Sequence, residues 1–179
     1  MIKRLPYRRA IRWESIQGPR ALCAFILATA LGSGLFPLAP GTMGTLLALP
    51  IAYFTAGLFW PLRIAFWTLL TLAGIWAAKT FDELMESQDN QNIVIDEVIG
   101  FGISTLSCAD CPKNLIAAFI IFRLFDILKP PPIRNVDRWS KKQSNSWWQG
   151  FGVIADDILA GFFTLLCILL LQYFKVLPS

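Results

Sequence analysis

Residues 115–128 form an apolar run that carries Arg123 and Asp126 near its end. Lys129 follows at once, and then Pro130, Pro131 and Pro132. On a helix the spacing of three places Arg123, Asp126 and Lys129 on one face, each roughly a turn from the next. An Arg and an Asp inside such a run are costly unless they pair or line a polar site. The prolines cannot continue a helix, because each lacks the N–H that the ladder needs. The stretch therefore predicts a membrane-grade helix that ends in a charged stripe at a membrane surface.

Composition agrees with a membrane setting. Of 179 residues, 55% are hydrophobic and only 16% charged, and the mean hydropathy is +0.55. Soluble domains carry about 25% charged residues, so little of this chain is left for a separate soluble domain. The net charge of +4 is clustered. Lys3, Arg4, Arg8, Arg9, Arg12 and Arg20 precede the first apolar run, and Lys129, Arg134, Arg138, Lys141 and Lys142 sit in a late polar stretch. Such clusters favour anionic lipid head groups by roughly 1 kcal/mol per charge, or serve only to set topology. No short apolar core with a small-residue cleavage site follows the basic N-terminus, which does not read as a cleaved signal.

Taken in order, residues 1–20 are basic and amphipathic enough to lie on a membrane surface. Residues 21–31 are apolar but short of a span. Residues 32–45 are rich in Gly and Pro and read as a loop or a broken helix, and such backbone is tolerated in a bilayer only where it is buried or lines a wet cavity. Its N–H groups and threonine hydroxyls are candidates to hold a phosphate, or it is simply a tight connection. Residues 45–58 and 62–78 predict a helical hairpin. Asp82, Glu83 and Glu86 have a solvent-facing spacing and a mainly structural reading. Residues 93–106 and 115–128 predict a second hairpin, and 158–174 a last span opened by Asp156 and Asp157. Ala160 and Gly161 would let a neighbouring helix approach closely. Trp139, Trp147 and Trp148 suit the head-group level.

The expectation is an all-α, polytopic membrane protein with about four to five membrane-embedded helices. It divides into a basic segment at 1–20 and a single membrane domain over 21–175. With the N-terminus inside, both basic clusters fall on the cytoplasmic side. Four unusual stretches, 32–45, 89–100, 123–134 and 150–161, then arrive at one face. The partners expected are the bilayer and an anionic phospholipid, and no nucleic acid; the oligomeric state is open.

Function is narrowed by an absence. The chain has no histidine, which removes the imidazole base, nucleophile and metal ligand. Cys108 and Cys111 have C-x-x-C spacing, but one such pair cannot complete a zinc site, and they read as incidental. What remains at the shared face is Asp96, Glu97, Asp126, Asp156 and Asp157. Such hard oxygen ligands suit Mg²⁺ or Mn²⁺, and Arg123, Lys129 and Arg134 stand beside them in the reading. Metal with Arg and Lys is suited to neutralising a transferring phosphate. Hydrolysis or transfer at a lipid phosphate is the expectation. A set of intramembrane salt bridges is the structural alternative, and a non-enzymatic Mg²⁺-binding transporter or channel the functional one. No internal repeat of the transporter kind is present. The thiol-nucleophile loop, the D-x-D-x-T/V motif and the CDP-alcohol transferase pattern are also missing.

Four blocks carry a resemblance. They are Gly32-x-Gly34-Leu35-x-Pro37-x-Ala39-Pro40-Gly41-Thr42-x-Gly44; Asp89 with Ile93-Val94-Ile95-Asp96-Glu97; Phe122-Arg123-x-Phe125-Asp126-x-x-Lys129-Pro130-x-Pro132-Ile133; and Gly150-x-Gly152 with Asp156-Asp157-x-x-Ala160-Gly161. In this order they resemble the phosphatidylglycerophosphatase A family over about residues 30–165. The resemblance implies a bacterial inner-membrane enzyme, and the multi-pass topology read above puts its site on the cytoplasmic face. Its reaction would be Mg²⁺-dependent removal of the terminal phosphate of phosphatidylglycerophosphate, giving phosphatidylglycerol. It implies Asp96, Glu97, Asp126, Asp156 and Asp157 as the acidic, metal-holding site, with Arg123 and Lys129 as catalytic, phosphate-facing cations. Gly41, Thr42, Gly44, Thr45 and Arg134 complete the expected phosphate-binding set. Members often have His-Gly-Gly-Met-Gly-Ile-Met before the last Asp-Asp, where this chain has Trp148-Gln149-Gly150-Phe151-Gly152-Val153-Ile154. All charged motif residues remain. Two routes stay open: a carboxylate orients a water for in-line attack, or an aspartyl-phosphate forms.

Overall fold

The computed structural model describes residues 11–108 and 110–178, so the expectations on Lys3, Arg4, Arg8 and Arg9 lie outside the described residues. Every regular element among the described residues is helical. The α-helices are α1 (Gly18–Ala28), α2 (Pro40–Ala56), α3 (Trp60–Met85), α4 (Ile95–Ser104), α5 (Pro112–Leu128), α6 (Ile133–Ser140) and α7 (Ser146–Tyr173). Local sequence sets many of these ends. A proline lies in the first two positions of α1, α2, α3 and α5, where its missing N–H costs nothing and its φ is already helical. At the other end, Glu86 and Lys129 take left-handed backbone after α3 and α5, which turns the chain out of the helix.

The short helix α4 is the centre of the bundle. It packs most extensively against α7 and also meets α2, α3 and α5. Phe101, Ile99 and Val98 of α4 bury with Phe81, Phe122, Ile154 and Ile168 of its neighbours. Many large apolar side chains remain outside, among them Leu69, Leu72, Ile120, Phe162 and Leu166. That outward pattern suits a bundle wrapped by hydrocarbon rather than water. Two helices, α3 and α7, are long and apolar enough to cross a membrane. By contrast α2 and α5 have 17 residues each and α4 has 10, against the ~20 that a span needs.

Hydrogen bonds join the ends of the elements far from α6. Arg63 near the start of α3 donates from Nη2 to the Thr105 carbonyl just beyond α4, at 2.8 Å. Asn114 at the start of α5 donates to the Pro178 carbonyl of the C-terminal tail, at 2.9 Å. The opposite end gathers the start of α2, the end of α3, the start of α4, the end of α5, α6 and the first half of α7.

Two expectations change here. The Gly/Pro stretch is not loop throughout: α2 begins at Pro40, so Gly41, Thr42, Gly44 and Thr45 are helical. Asp156 and Asp157 do not open the last helix, which starts ten residues earlier at Ser146. The Asn145 side chain accepts from the Trp147 N–H at 2.8 Å, a capping bond that starts α7 early. Gly150 and Gly152 lie within α7, and α3 and Ser140 stand where side chains at these two positions would be.

Candidate active site

Glycines set the geometry of the site. A Cβ on Gly161 of α7 would overlap the Gly100 carbonyl of α4, and one on Gly100 would meet the Asp157 backbone and the Phe122 ring. The two backbones therefore cross in contact. Gly100 lies four residues after Asp96, and Gly161 four residues after Asp157. Residues four apart share a helix face, so the crossing carries the two carboxylate pairs together. Candidate ligand oxygens of Asp96, Glu97 and Asp157 lie within 4.8 Å of one another. On the other side of α4, Gly41 abuts the Glu97 carboxylate and Gly44 abuts Val94, so α2 also approaches without side chains in the way.

These groups stand at the wall of a cavity of about 820 Å³. Asp96, Glu97, Asp126, Asp156, Asp157 and Lys129 all line it, together with Asp89, Asn90, Gln91, Asp137 and Ser140. Each of the four stretches expected to converge contributes to that lining. Asp96 and Glu97 sit in the first turn of α4, where the helix dipole favours negative charge. Even so, Asp96 Oδ1 and Glu97 Oε2 are buried with no hydrogen-bond donor among the described residues. Buried polar atoms are rarely left so, and carboxylate oxygens in this state fit a hard divalent cation.

The charged stripe of α5 divides in two. Arg123 Nη1 pairs with Asp126 Oδ2 at 2.5 Å, stands 3.9 Å from Glu97 Oε1, and reaches the Thr45 hydroxyl at 3.4 Å. Lys129 leaves the common face because its backbone turns left-handed, with φ 42° and ψ 61°. Its Nζ donates to Asp137 Oδ1 at 2.8 Å and to Asp156 Oδ2 at 2.5 Å. Burial opposes its charge, but Asp156 and Asp137 outweigh that and hold the ammonium above the usual lysine range. Burial likewise pushes the Asp137 carboxyl up, yet hydrogen bonds from Lys129 and Lys141 bring it below the usual carboxylate range.

The expected phosphate-binding residues are placed differently from one another. Lys129 lines the cavity, whereas Arg123 stands behind Glu97 and Asp126. Gly41, Thr42, Gly44, Thr45 and Arg134 are not part of the lining. The buried Thr45 hydroxyl donates to the Gly41 carbonyl at 2.9 Å, and Arg134 is exposed.

Asp82 is not solvent-facing: it is 4% exposed. Its carboxylate accepts from Ser87 Oγ at 2.7 Å, from the Asp89 N–H at 2.9 Å and from the Asn90 N–H at 3.1 Å. It thereby ties down the loop that presents Asp89 and Asn90 to the cavity. Asp82→Ala leaves two backbone donors unpaired, which costs about 1–3 kcal/mol each when such groups stay buried. The expected result is a lower melting temperature and faster proteolytic cleavage between residues 86 and 92.

The bundle with its carboxylate-lined cavity defines a helical protein with two helices long and apolar enough to cross a membrane and an acidic site. Comparison with known proteins makes this specific. The sequence profile of the phosphatidylglycerophosphatase A family matches residues 26–172, and the chain belongs to that family. Phosphatidylglycerophosphatase A of Escherichia coli K12 is 37% identical over 137 residues, which cover 76% of each chain. The protein of the same name from Haemophilus influenzae is 34% identical over 153 residues, 84% of this chain and 90% of the relative. A Bacteroides thetaiotaomicron protein named "Putative phosphatidylinositol-3-phosphatase" is 36% identical over 152 residues, 80% of this chain and 89% of its own. No solved structure matches the chain.

Proposed function

We propose that this protein is a lipid phosphatase that hydrolyses phosphatidylglycerophosphate to phosphatidylglycerol and phosphate in phospholipid biosynthesis. The observation that carries the reading is the cavity itself. It gathers five motif carboxylates and one lysine from separated stretches, in a chain that belongs to a phosphatase family.

Asp96, Glu97 and Asp157 are the residues that would hold a divalent cation, Mg²⁺ in our reading, because their oxygens converge and one buried oxygen on each of Asp96 and Glu97 has no hydrogen-bond donor among the described residues. Once bound, Mg²⁺ supplies charge neutralisation for the phosphate. Asp126, paired with Arg123, would align a water with the phosphorus and take its proton. Lys129 in the cavity wall meets charge on the phosphoryl oxygens. Arg123 acts from behind, offsetting the charge of Glu97 and Asp126. The chain then sits as a multi-pass protein in the bacterial inner membrane. The cavity faces the cytoplasm at head-group depth, and α2, α4 and α5 are embedded beside α3 and α7.

Substrate identity is tested with purified protein, Mg²⁺ and three lipids in matched mixed micelles: phosphatidylglycerophosphate, phosphatidylinositol 3-phosphate and phosphatidic acid. Phosphate release at the highest kcat/KM from phosphatidylglycerophosphate is the expected result. Preference for the inositol lipid would instead align this chain with the printed name of its Bacteroides relative.

A further inference from the structure

The ion pairs around Lys129 form a chain of alternating charge. Asp156 Oδ2 accepts from Lys129 Nζ, Lys129 also donates to Asp137 Oδ1, Asp137 Oδ1 also accepts from Lys141 Nζ at 2.8 Å, and Lys141 reaches Asp89 Oδ2 at 3.3 Å. Asp137 is the middle of this chain. Among the described residues it is the one anion shared by both ammonium groups, and α6 is anchored on both sides of it. Ile133 at the start of α6 is fully buried. Ser140 at its end occupies the space that a side chain at Gly152 would need, and its hydroxyl donates to the Asp137 carbonyl at 2.8 Å. Gly152 lies one turn before Asp156, so α6 is seated directly beside the carboxylate that Lys129 bridges.

We infer that Asp137 is a positioning residue, which acts through Lys129 to hold that ammonium out over the cavity. This rests on the phosphatase reading of the site. A lysine is a flexible point charge on a four-carbon stem. With Asp156 as its only partner, Lys129 would collapse onto α7 and lose its direction. Asp137 draws it from the opposite side, so that Nζ is fixed between two elements and faces the space between them. A fixed donor stabilises developing charge without rearranging during the reaction. Asp137 also separates Lys129 from Lys141. Without that shared anion the two ammonium groups repel, and Lys129 is driven away from its working position.

The test compares wild type, Asp137→Ala, Asp137→Glu, Lys129→Ala and the Asp137→Ala/Lys129→Ala pair in lipid micelles. Two readouts are taken: kcat and KM for phosphate release, and the rate at which Lys129 is acetylated by an amine-reactive reagent, followed by mass spectrometry. Asp137→Ala is expected to lower kcat on the order of 10²-fold, as misplacement of a charged group by about 1 Å does, with KM changed far less. In the Lys129→Ala background the same change is expected to cost roughly threefold or less, because groups that act as a unit are not additive. Asp137→Glu restores part of kcat. Lys129 acetylation rises by roughly threefold or more in Asp137→Ala, as an Nζ no longer clamped between two carboxylates is freer to meet the reagent. Equal losses in the two backgrounds, or unchanged Lys129 labelling, would overturn the inference and leave Asp137 as a packing residue of α6. Labelling needs no turnover, so absence of phosphate release from wild type would sink the phosphatase reading while the Lys129 contact is still tested. If Asp137→Ala fails to fold, Asp137→Asn carries both readouts.

Discussion

Asp157→Asn is expected to reduce phosphate release on the order of 10³-fold, the loss that corresponds to several kcal/mol of charge stabilisation, while leaving the protein folded. Asp157 is buried and has ligand oxygens close to those of Asp96 and Glu97. Among the described residues, the one cation within salt-bridge reach of that trio is Arg123, 3.9 Å from Glu97 Oε1. Three converging carboxylates repel in a site of low dielectric. Removing one charge should therefore raise the melting temperature in chelator by about 2–4 °C, the shift for roughly 1 kcal/mol in a domain of this size. In the same variant, stabilisation by added Mg²⁺ should shrink, since less ligand affinity means less linkage. A purely structural salt-bridge network gives the opposite sign: loss of a carboxylate leaves a cation unpaired and lowers the melting temperature.

Gly161→Val should be nearly as damaging, although this residue touches no substrate. Its Cβ would overlap the Gly100 carbonyl, and neither backbone can yield without moving a carboxylate pair. Overpacking of this kind costs about 1–3 kcal/mol or more, and displacement of the site by about 1 Å costs on the order of 10²-fold in rate. Gly57→Ala is the control, because nearly open space surrounds that position. It should leave both melting temperature and turnover close to wild type. Equal tolerance at the two glycines would mean that the α4–α7 crossing does not set the site.

Much of this arrangement is legible in the amino-acid sequence. Carboxylates inside apolar runs have no solvent to explain them, so Asp96, Glu97, Asp126, Asp156 and Asp157 stand out by composition alone. The alternation of helices then puts them at one end. The glycines beside them are readable as close-approach sites, but the partner of each is not. Nothing local tells Gly161 that it meets Gly100, or Gly152 that it meets Ser140. Asp137 is hidden for a related reason. It lies in a short polar helix of ordinary surface appearance, and only the turn at Lys129 brings the two side chains together. Helical periodicity extends the Arg123–Asp126 stripe to Lys129, whereas the left-handed backbone there breaks it. Asp82 escapes because its spacing matches an exposed helix end, while its three hydrogen-bond donors come from a loop with no regular pattern. Both α2 and α5 start earlier than their apolar runs at 45–58 and 115–128 suggest, because a proline in the first turn opens each helix ahead of the run.

The most direct measurement is phosphate release from phosphatidylglycerophosphate by the purified protein in lipid micelles, first with Mg²⁺, then with excess chelator, then with Mg²⁺ restored. Release that stops in chelator and returns with the metal is the expected result. No release from wild type, or release undiminished by the chelator, would contradict a cation-dependent phosphatase site built on Asp96, Glu97 and Asp157.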